Sequence, residues 1–217
     1  MKRVLILVEG QTEEAFVQKV LAPHLLALNV VLTPTILVTK WVKSGGHFKG
    51  GATSYAKVKR DLKRLLTNAE CITTMLDYYG LPDDFPGLTD RPTGNCYQRV
   101  EHVERAFQTD IAHPRFLPYL ALHEFEALLF TEPARCTSVF FDVPGAIESM
   151  QAIRAGVASP EEINEGPTTA PSKRIQKVFP GYQKTLHGPL ATIEYGLAPL
   201  RAACPHFHKW VSALEAL

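Results

Sequence analysis

The sequence has almost no excess of either charge, because 23 Lys and Arg residues stand against 22 Asp and Glu residues. A protein that binds nucleic acid or an anionic membrane over a broad surface carries a clear positive excess, so any such partner must meet a local patch. The sequence also lacks a secretory apolar segment at its start and any apolar run near the roughly 20 residues that cross a bilayer. We therefore expect no membrane partner.

Cysteine is scarce, and the four cysteines are scattered without a CxxC pair. This pattern favours a reducing, cytoplasmic location. The segment 204–208, Cys-Pro-His-Phe-His, lacks the second ligand pair of a zinc finger and is not expected to bind zinc. With 46% apolar and 21% charged residues, the composition is that of an ordinary globular protein.

Apolar segments alternate with helical patterns over roughly the first 130 residues. Strands are predicted at residues 4–8, 36–41, 71–76 and 116–122. Helices are predicted from Thr12 as N-cap with a kink or break at Pro23, at 55–66 and at 97–111. The alternation predicts an α/β fold with a mostly parallel sheet flanked by helices. We expect this core at residues 1–135 and a mostly helical C-terminal extension, packed on the core, at residues 136–217.

Acidic residues follow three of the predicted strands. Glu9 follows the first strand, Asp77 the third, and Glu124 and Glu126 the fourth. The carboxyl ends of parallel strands form the ligand-binding edge of such sheets, so these acids should gather there. Clustered carboxylates repel one another unless a hard cation such as Mg²⁺ or Mn²⁺ neutralises them, and these ions support phosphate chemistry. Taken singly, each acid can instead belong to a turn, and Glu13 can serve the helix dipole.

Segment 8–13, Val-Glu-Gly-Gln-Thr-Glu, resembles the opening motif of TOPRIM domains, especially those of the overcoming-lysogenization-defect nucleases. In that motif the glutamate at the strand end and a second one at the helix start are metal-site residues, which implies these roles for Glu9 and Glu13. Segments 76–82, 122–127 and 166–174 together resemble a bacterial TOPRIM-like family of unknown function, DUF4276. The resemblance spans most of the chain and implies a TOPRIM-like core.

The chain departs from the TOPRIM pattern after the third strand. TOPRIM domains typically carry Asp-x-Asp there, whereas Asp77 is followed by Tyr78 and Tyr79. Tyrosine at the second aspartate position leaves a metal ligand to be found elsewhere. The candidates to replace it are Asp83, Asp84, Glu124 and Glu126.

Basic residues supply candidates for phosphate contacts. Lys173 opens a predicted helix, and the resemblance implies for it the phosphate-stabilising role that related nucleases give to a lysine beyond the TOPRIM core. A glycine-rich basic loop at residues 43–51 and the basic helix at 55–66 form the best nucleic-acid surface, although a flexible loop and an exposed charged helix are the alternatives. The loop does not have the order of a phosphate-binding P-loop. The predicted nucleic-acid contacts are Lys43, Lys49, Lys57, Lys59 and Arg174.

The leading hypothesis is a TOPRIM-fold nuclease that depends on Mg²⁺ or Mn²⁺ and cleaves DNA or RNA. Its metal residues would be Glu9, Glu13, Asp77, Glu124 and Glu126. His123, beside these acids, is either a general base, an extra ligand or a hydrogen-bonded structural residue. The resemblance implies an antiphage defence subunit that acts with an ATPase. A homodimer is a further alternative that the sequence leaves open. The alternatives are a non-catalytic TOPRIM-like module that partners an ATPase, which Tyr79 favours, and a hydrolase of a small phosphorylated metabolite, which requires a closed pocket.

Overall fold

The computed structural model describes residues 1–37, 54–67, 69–140, 142–163 and 169–217. All the strand pairs found there are parallel, in the order β2-β1-β3-β4, and β5 pairs with the end of β3. The predicted α/β fold with a parallel sheet and a helical C-terminal region is confirmed. The strands are β1 (Lys2–Val8), β2 (Val30–Ile36), β3 (Cys71–Asp77), β4 (Phe116–Leu117) and β5 (Leu120–Ala121).

Helices cover both faces of the sheet and make up most of the C-terminal region. A π-helical turn (Val17–Leu21) joins the first two helices, and short 3₁₀ segments lie at Tyr78–Gly80, Phe125–Phe130, Pro133–Arg135 and Pro160–Glu162. The helices are α1 (Gln11–Phe16), α2 (Ala22–Leu26), α3 (Tyr55–Leu65), α4 (Cys96–Ile111), α5 (Thr137–Phe140), α6 (Ala146–Ala155), α7 (Pro171–Val178), α8 (Lys184–Tyr195), α9 (Leu197–Ala203) and α10 (Pro205–Glu215).

The apolar run of β1 is uninterrupted because the strand is buried on both faces. Val4 and Ile6 belong to a cluster with α1, α2 and the C-terminal helices, whereas Leu5 and Leu7 belong to a second cluster with α3 and α4. Successive side chains of a strand point to opposite faces, so one apolar run serves both clusters. The C-terminal helices therefore share a core with one face of the sheet, while the domain boundary at residue 135 stays a prediction.

The second strand was predicted too late in the sequence. It runs over Val30–Ile36, and residues 38–41 of the prediction lie outside the described part of the chain. This strand contains Pro34, and β2 is the first strand in the order of the sheet. Proline, which has no backbone N–H, is tolerated in an edge strand of this kind.

The first helix also differs from its prediction. It begins at Gln11 with Gly10 as N-cap, and Thr12 is buried inside the helix and does not cap it. The chain stays helical through Pro23. Proline has no N–H and cannot make the regular hydrogen bond to the preceding turn of an α-helix. The π-helical turn Val17–Leu21 lies directly before it and changes the hydrogen-bond pattern there.

The predicted fourth strand is divided into two short strands at Pro118. The hydroxyl of Thr74 on β3 donates to the carbonyl of Tyr119 at 2.8 Å and accepts from the amide of Tyr119 at 3.0 Å. The buried hydroxyl of Thr74 thus supplies the hydrogen bonds that the backbone of β3 does not make with Tyr119, in the gap between β4 and β5. Buried backbone groups need such partners.

One direct bond ties the C-terminal helices to the sheet. The indole N–H of Trp210 on α10 donates to the hydroxyl of Thr73 on β3 at 2.8 Å, and both residues are buried. Among the described residues, no helix has the combination of length and apolar content that crossing a membrane requires.

Candidate functional site

Glu9 and Asp77 lie side by side at the carboxyl edge of the sheet. Glu9 directly follows β1 and Asp77 ends β3, the two neighbouring strands between which the strand order reverses. Crevices at such a reversal are the usual ligand sites of open parallel sheets. The backbone amide of Asp77 donates to Oε2 of Glu9 at 3.3 Å, so the carboxylate of Glu9 reaches the backbone of Asp77.

Burial and mutual repulsion perturb both carboxyl groups. The pKa of Glu9 is raised, first by burial and then by the negative charges of Glu13 and Glu124, against the hydrogen bond from Asp77 and the positive charge of Lys184. Burial and the charge of Glu9 raise the pKa of Asp77 well above its usual range. Burial is the first cause of both shifts, and the negative charge of neighbouring carboxylates adds to it.

Lys184 at the start of α8 is the internal counter-ion of the cluster. Its Nζ lies 3.3 Å from Oε2 of Glu126 and 3.7 Å from Oε1 of Glu13, two glutamates whose side chains are almost fully buried. Burial alone would lower the pKa of Lys184, but the charges of Asp77, Glu126, Glu13 and Glu9 outweigh it and raise this pKa. The ammonium group therefore keeps its charge.

Close packing of α8 against α1 places Lys184 beside the acids. A Cβ atom at Gly188, one turn along α8, would lie 3.1 Å from Cγ2 of Thr12 and 3.2 Å from the ring of Phe125. A larger residue would push α8 outward, so the absent side chain lets Lys184 reach Glu13 on α1.

Glu124 directly precedes the 3₁₀ segment Phe125–Phe130 and contacts the start of α7. Its Oε2 accepts a hydrogen bond from the amide of Ser172 at 3.0 Å, and its charge contributes to the raised pKa of Glu9. The next residue, Lys173, is exposed on α7. Nε of Arg174 donates to the carbonyl oxygen of Thr169 at 2.8 Å.

The acids fit a divalent ion held by two carboxylates better than a closed cage of ligands. Across the described ranges, no group of three or more His, Cys, Asp or Glu residues is arranged to hold a metal ion. Mg²⁺, however, typically uses one or two carboxylates and keeps several waters or substrate oxygens. Glu9 and Asp77 match that mode, whereas Glu13 and Glu126 are engaged by Lys184.

The structure also describes the surroundings of two further candidate residues, Asp84 and His123. Asp84 accepts a hydrogen bond from the amide of Tyr55 at 2.9 Å and so serves the start of α3. Burial lowers the pKa of His123 to about 4, although the backbone of Glu161 and the charge of Glu124 act against this shift. His123 is therefore neutral at pH 7 and a weak base.

The predicted nucleic-acid contacts are only partly within the described chain. Lys57 and Lys59 lie on α3, where Nζ of Lys59 is paired with Oδ2 of Asp110 at 2.7 Å. Lys43 and Lys49 lie outside the described residues. A shallow depression of about 490 Å³ on α3 is lined by Ala56, Lys59, Arg60, Lys63 and Arg64.

Sequence reasoning missed Lys184. This lysine stands alone in a polar stretch, 107 positions after Asp77, and no motif marks it. The Gly188-Pro189 pair inside a helical pattern was the available signal, since glycine at such a place often permits a close approach of two backbones.

Comparisons with known proteins give a family and one structural likeness. The model of the family described as "Domain of unknown function (DUF4276)" matches residues 8–215. No curated protein matches the sequence. A solved structure of the C-terminal region of the Burkholderia pseudomallei OLD protein is 16% identical, with 99% of each chain covered and a TM-score of 0.42.

Proposed function

Because the chain belongs to the DUF4276 family of domains of unknown function, its chemistry has to be inferred from the site, and we propose that it is a divalent-metal-dependent phosphodiesterase that cleaves nucleic acid. The observation that carries this proposal is the contact between Glu9 and Asp77 where the strand order reverses, with both pKa values raised. Two desolvated carboxylates that repel each other are costly to keep ionised, and a divalent cation relieves that cost.

Each residue of the site has a role in this proposal. Glu9 and Asp77 hold the ion, which when bound polarises a phosphoryl oxygen and lowers the pKa of bound water. Lys184 remains charged and offsets negative charge on the phosphate. Glu13 and Glu126 fix Lys184 from two sides. We therefore assign to Lys184 the phosphate-stabilising role that the sequence indicated for Lys173. Lys173 stays a candidate for contacting the nucleic-acid strand beside α7.

The proposed substrate and partner rest on the TOPRIM-like motif at residues 8–13. Its resemblance to overcoming-lysogenization-defect nucleases supports cleavage of DNA or RNA by a defence subunit that acts with an ATPase. Basic side chains on α3 offer a surface for the phosphate backbone, since such contacts dominate non-specific affinity.

A cleavage assay with matched variants tests the proposal. Supercoiled plasmid, single-stranded DNA and RNA are incubated with the protein and Mn²⁺ or Mg²⁺, alone and with an ATPase encoded beside it. We expect metal-dependent cleavage that EDTA abolishes and that Glu9→Gln or Asp77→Asn lowers about 100-fold or more, the size seen when a charge-stabilising group is removed. Glu148→Gln, an exposed acid on α6, should leave cleavage unchanged. Absence of cleavage under all these conditions contradicts the proposal.

A non-catalytic module is the second candidate. It is favoured by the pairing of Lys184 with two of the acids and by the lack of a three-residue metal group within the described ranges. Titration calorimetry with Mn²⁺ separates the candidates. A catalytic site should bind the ion in the wild type and lose binding in Glu9→Gln, whereas a pure interaction module should bind none in either protein.

A further inference from the structure

Tyr79 is a half-exposed aromatic residue at the rim of the acid cluster. It lies in the 3₁₀ segment Tyr78–Gly80, two residues after Asp77, and is 51% exposed. A Cβ atom on the neighbouring Gly80 would lie 3.4 Å from Cβ of Asp77 and 3.9 Å from Oε2 of Glu9. The segment that carries Tyr79 therefore runs directly against the two acids.

The ring of Tyr79 rests on a fixed support. It is stacked on the ring of His123, with centroids 5.0 Å apart and planes 13° from parallel, and it meets Tyr78 nearly at a right angle at 5.2 Å. His123 is only 3% exposed, so it is anchored in the protein. An isolated exposed aromatic residue would need no explanation, but this ring is held in place beside a proposed catalytic site.

Positive charge reaches the same place. An Nη atom of Arg91 donates to the hydroxyl of Tyr78 at 3.1 Å, and its guanidinium carbon lies 5.9 Å from the Tyr78 ring. Arg91 is itself exposed, so its guanidinium group is accessible to a ligand. The acid cluster by itself would repel a phosphate backbone, so cations at its rim are needed for a strand to approach.

We propose that Tyr79 is a stacking platform for an unpaired base of a single-stranded nucleic acid, with Arg91 facing the backbone phosphates. This inference rests on the proposed function and specifies its substrate class. Stacking on an aromatic side chain requires the face of a base, which a duplex keeps covered by neighbouring base pairs, whereas every unpaired base offers one. Tyr79 stands where the TOPRIM motif has an aspartate, so this platform is a property of the chain's departure from the motif.

Binding without cleavage tests the platform. Fluorescence anisotropy of a labelled twelve-nucleotide single strand and of the matching duplex is measured in EDTA. We expect Tyr79→Ala to weaken single-strand binding about 5- to 100-fold, the range of one lost base stack, and to change duplex binding less than twofold. Tyr79→Phe and Tyr79→Trp should keep wild-type affinity. Leu28→Ala, which removes a residue that is 46% exposed, is the matched control and should have no effect.

A second variant guards against a folding artefact. Tyr79→Leu keeps an apolar cover over His123 but removes the aromatic face, so it should weaken binding like Tyr79→Ala with an unchanged thermal transition. Arg91→Gln should weaken binding and flatten its dependence on salt, since each lost phosphate contact lowers that slope.

The outcomes separate this inference from the proposed function. Glu9→Gln should lose cleavage yet retain the preference for single strands in EDTA. Equal affinity of wild type and Tyr79→Leu for the single strand overturns the platform, as does an equal loss for strand and duplex. Competition by a free mononucleotide as effective as that by the oligonucleotide also overturns it, because the ligand would then be a nucleotide and not a strand.

Discussion

Replacing Lys184 with methionine should destabilise the protein, because it leaves buried carboxylates without their internal counter-ion. Methionine keeps most of the length and apolar stem of lysine and removes the charge. The ammonium contacts Glu126 at 3.3 Å and Glu13 at 3.7 Å, and the side chains of these glutamates are 1% and 5% exposed.

The expected loss lies between the values for surface and buried ion pairs. At an effective dielectric constant of about 20, each of these contacts has a gross attraction of about 4 to 5 kcal/mol. The side chain of Lys184 is 41% exposed, so solvent screens much of this attraction, and exposed pairs contribute at most about 1 kcal/mol. Removing one partner of a fully buried pair costs about 3 to 5 kcal/mol. We therefore expect Lys184→Met to lower the free energy of unfolding by about 2 kcal/mol at pH 8.

The loss should shrink in acid. Burial raises the pKa values of Glu9, Asp77 and Glu126. A folded-state pKa above the unfolded value means that stability is highest below the unfolded pKa and falls as pH rises through the folded one. At pH 5 the carboxylates of the variant take up protons more readily than at pH 8, which relieves their repulsion. Lys184 itself keeps its charge at both values, because its pKa is raised.

Urea unfolding followed by circular dichroism, in EDTA at pH 5 and pH 8, measures these changes. Lys209→Met is the matched control, since Nζ of Lys209 is only 2.7 Å from Oε1 of Glu101 but its side chain is 73% exposed. It should cost at most about 1 kcal/mol. A loss for Lys184→Met that is no larger than this, or that is the same at both pH values, refutes the counter-ion role.

Three further changes probe other parts of the structure. Asp77→Asn, which removes a buried charge that Glu9 repels, should raise the stability by about 1 kcal/mol and Tm by about 2 to 4 °C in a calorimetric scan, and a lower Tm contradicts the assigned repulsion. Gly188→Val, which places atoms against Thr12, should lower the stability by about 1 to 3 kcal/mol in urea unfolding, whereas an unchanged midpoint argues against close helix packing. Burial would lower the pKa of His206, but its hydrogen bond to Glu104 and the nearby acids raise it. The stability that this pair contributes should therefore fall as pH rises above about 6.5. Glu104→Gln should make the free energy of unfolding less dependent on pH in this range.

The sheet and its acids were largely predictable from the sequence. The apolar runs at residues 4–8 and 71–76 indicate strands covered on both faces, and the structure has such strands at Lys2–Val8 and Cys71–Asp77. Parallel pairing of adjacent strands then brings Glu9 and Asp77 together without any further information. Local patterns succeed here because the burial of a central strand is uniform along its length.

Features that depend on tertiary contacts were not predictable in the same way. The strand β2 contains Pro34, and a proline is tolerated there because the strand lies at the edge of the sheet. A local pattern does not reveal the position of a strand in the sheet. The interruption between β4 and β5 depends on a hydroxyl group of β3, which no local pattern reveals. Lys173 was named because it opens a predicted helix and because the resemblance implies a lysine in that role. Lys184 was not considered, since its approach to the acids requires the packing of α8 on α1.

The position of Lys184 makes the C-terminal region part of the site. Glu9, Glu13 and Asp77 come from the sheet and the first helix, while the cation that balances them comes from α8, whose place is set by Gly188. A sheet alone would bring together carboxylates that repel one another, with no group to neutralise them. Helices that share a core with the sheet supply that group. Packing of the C-terminal region on the sheet therefore contributes to the stability of the acid cluster, because it brings Lys184 to Glu13 and Glu126.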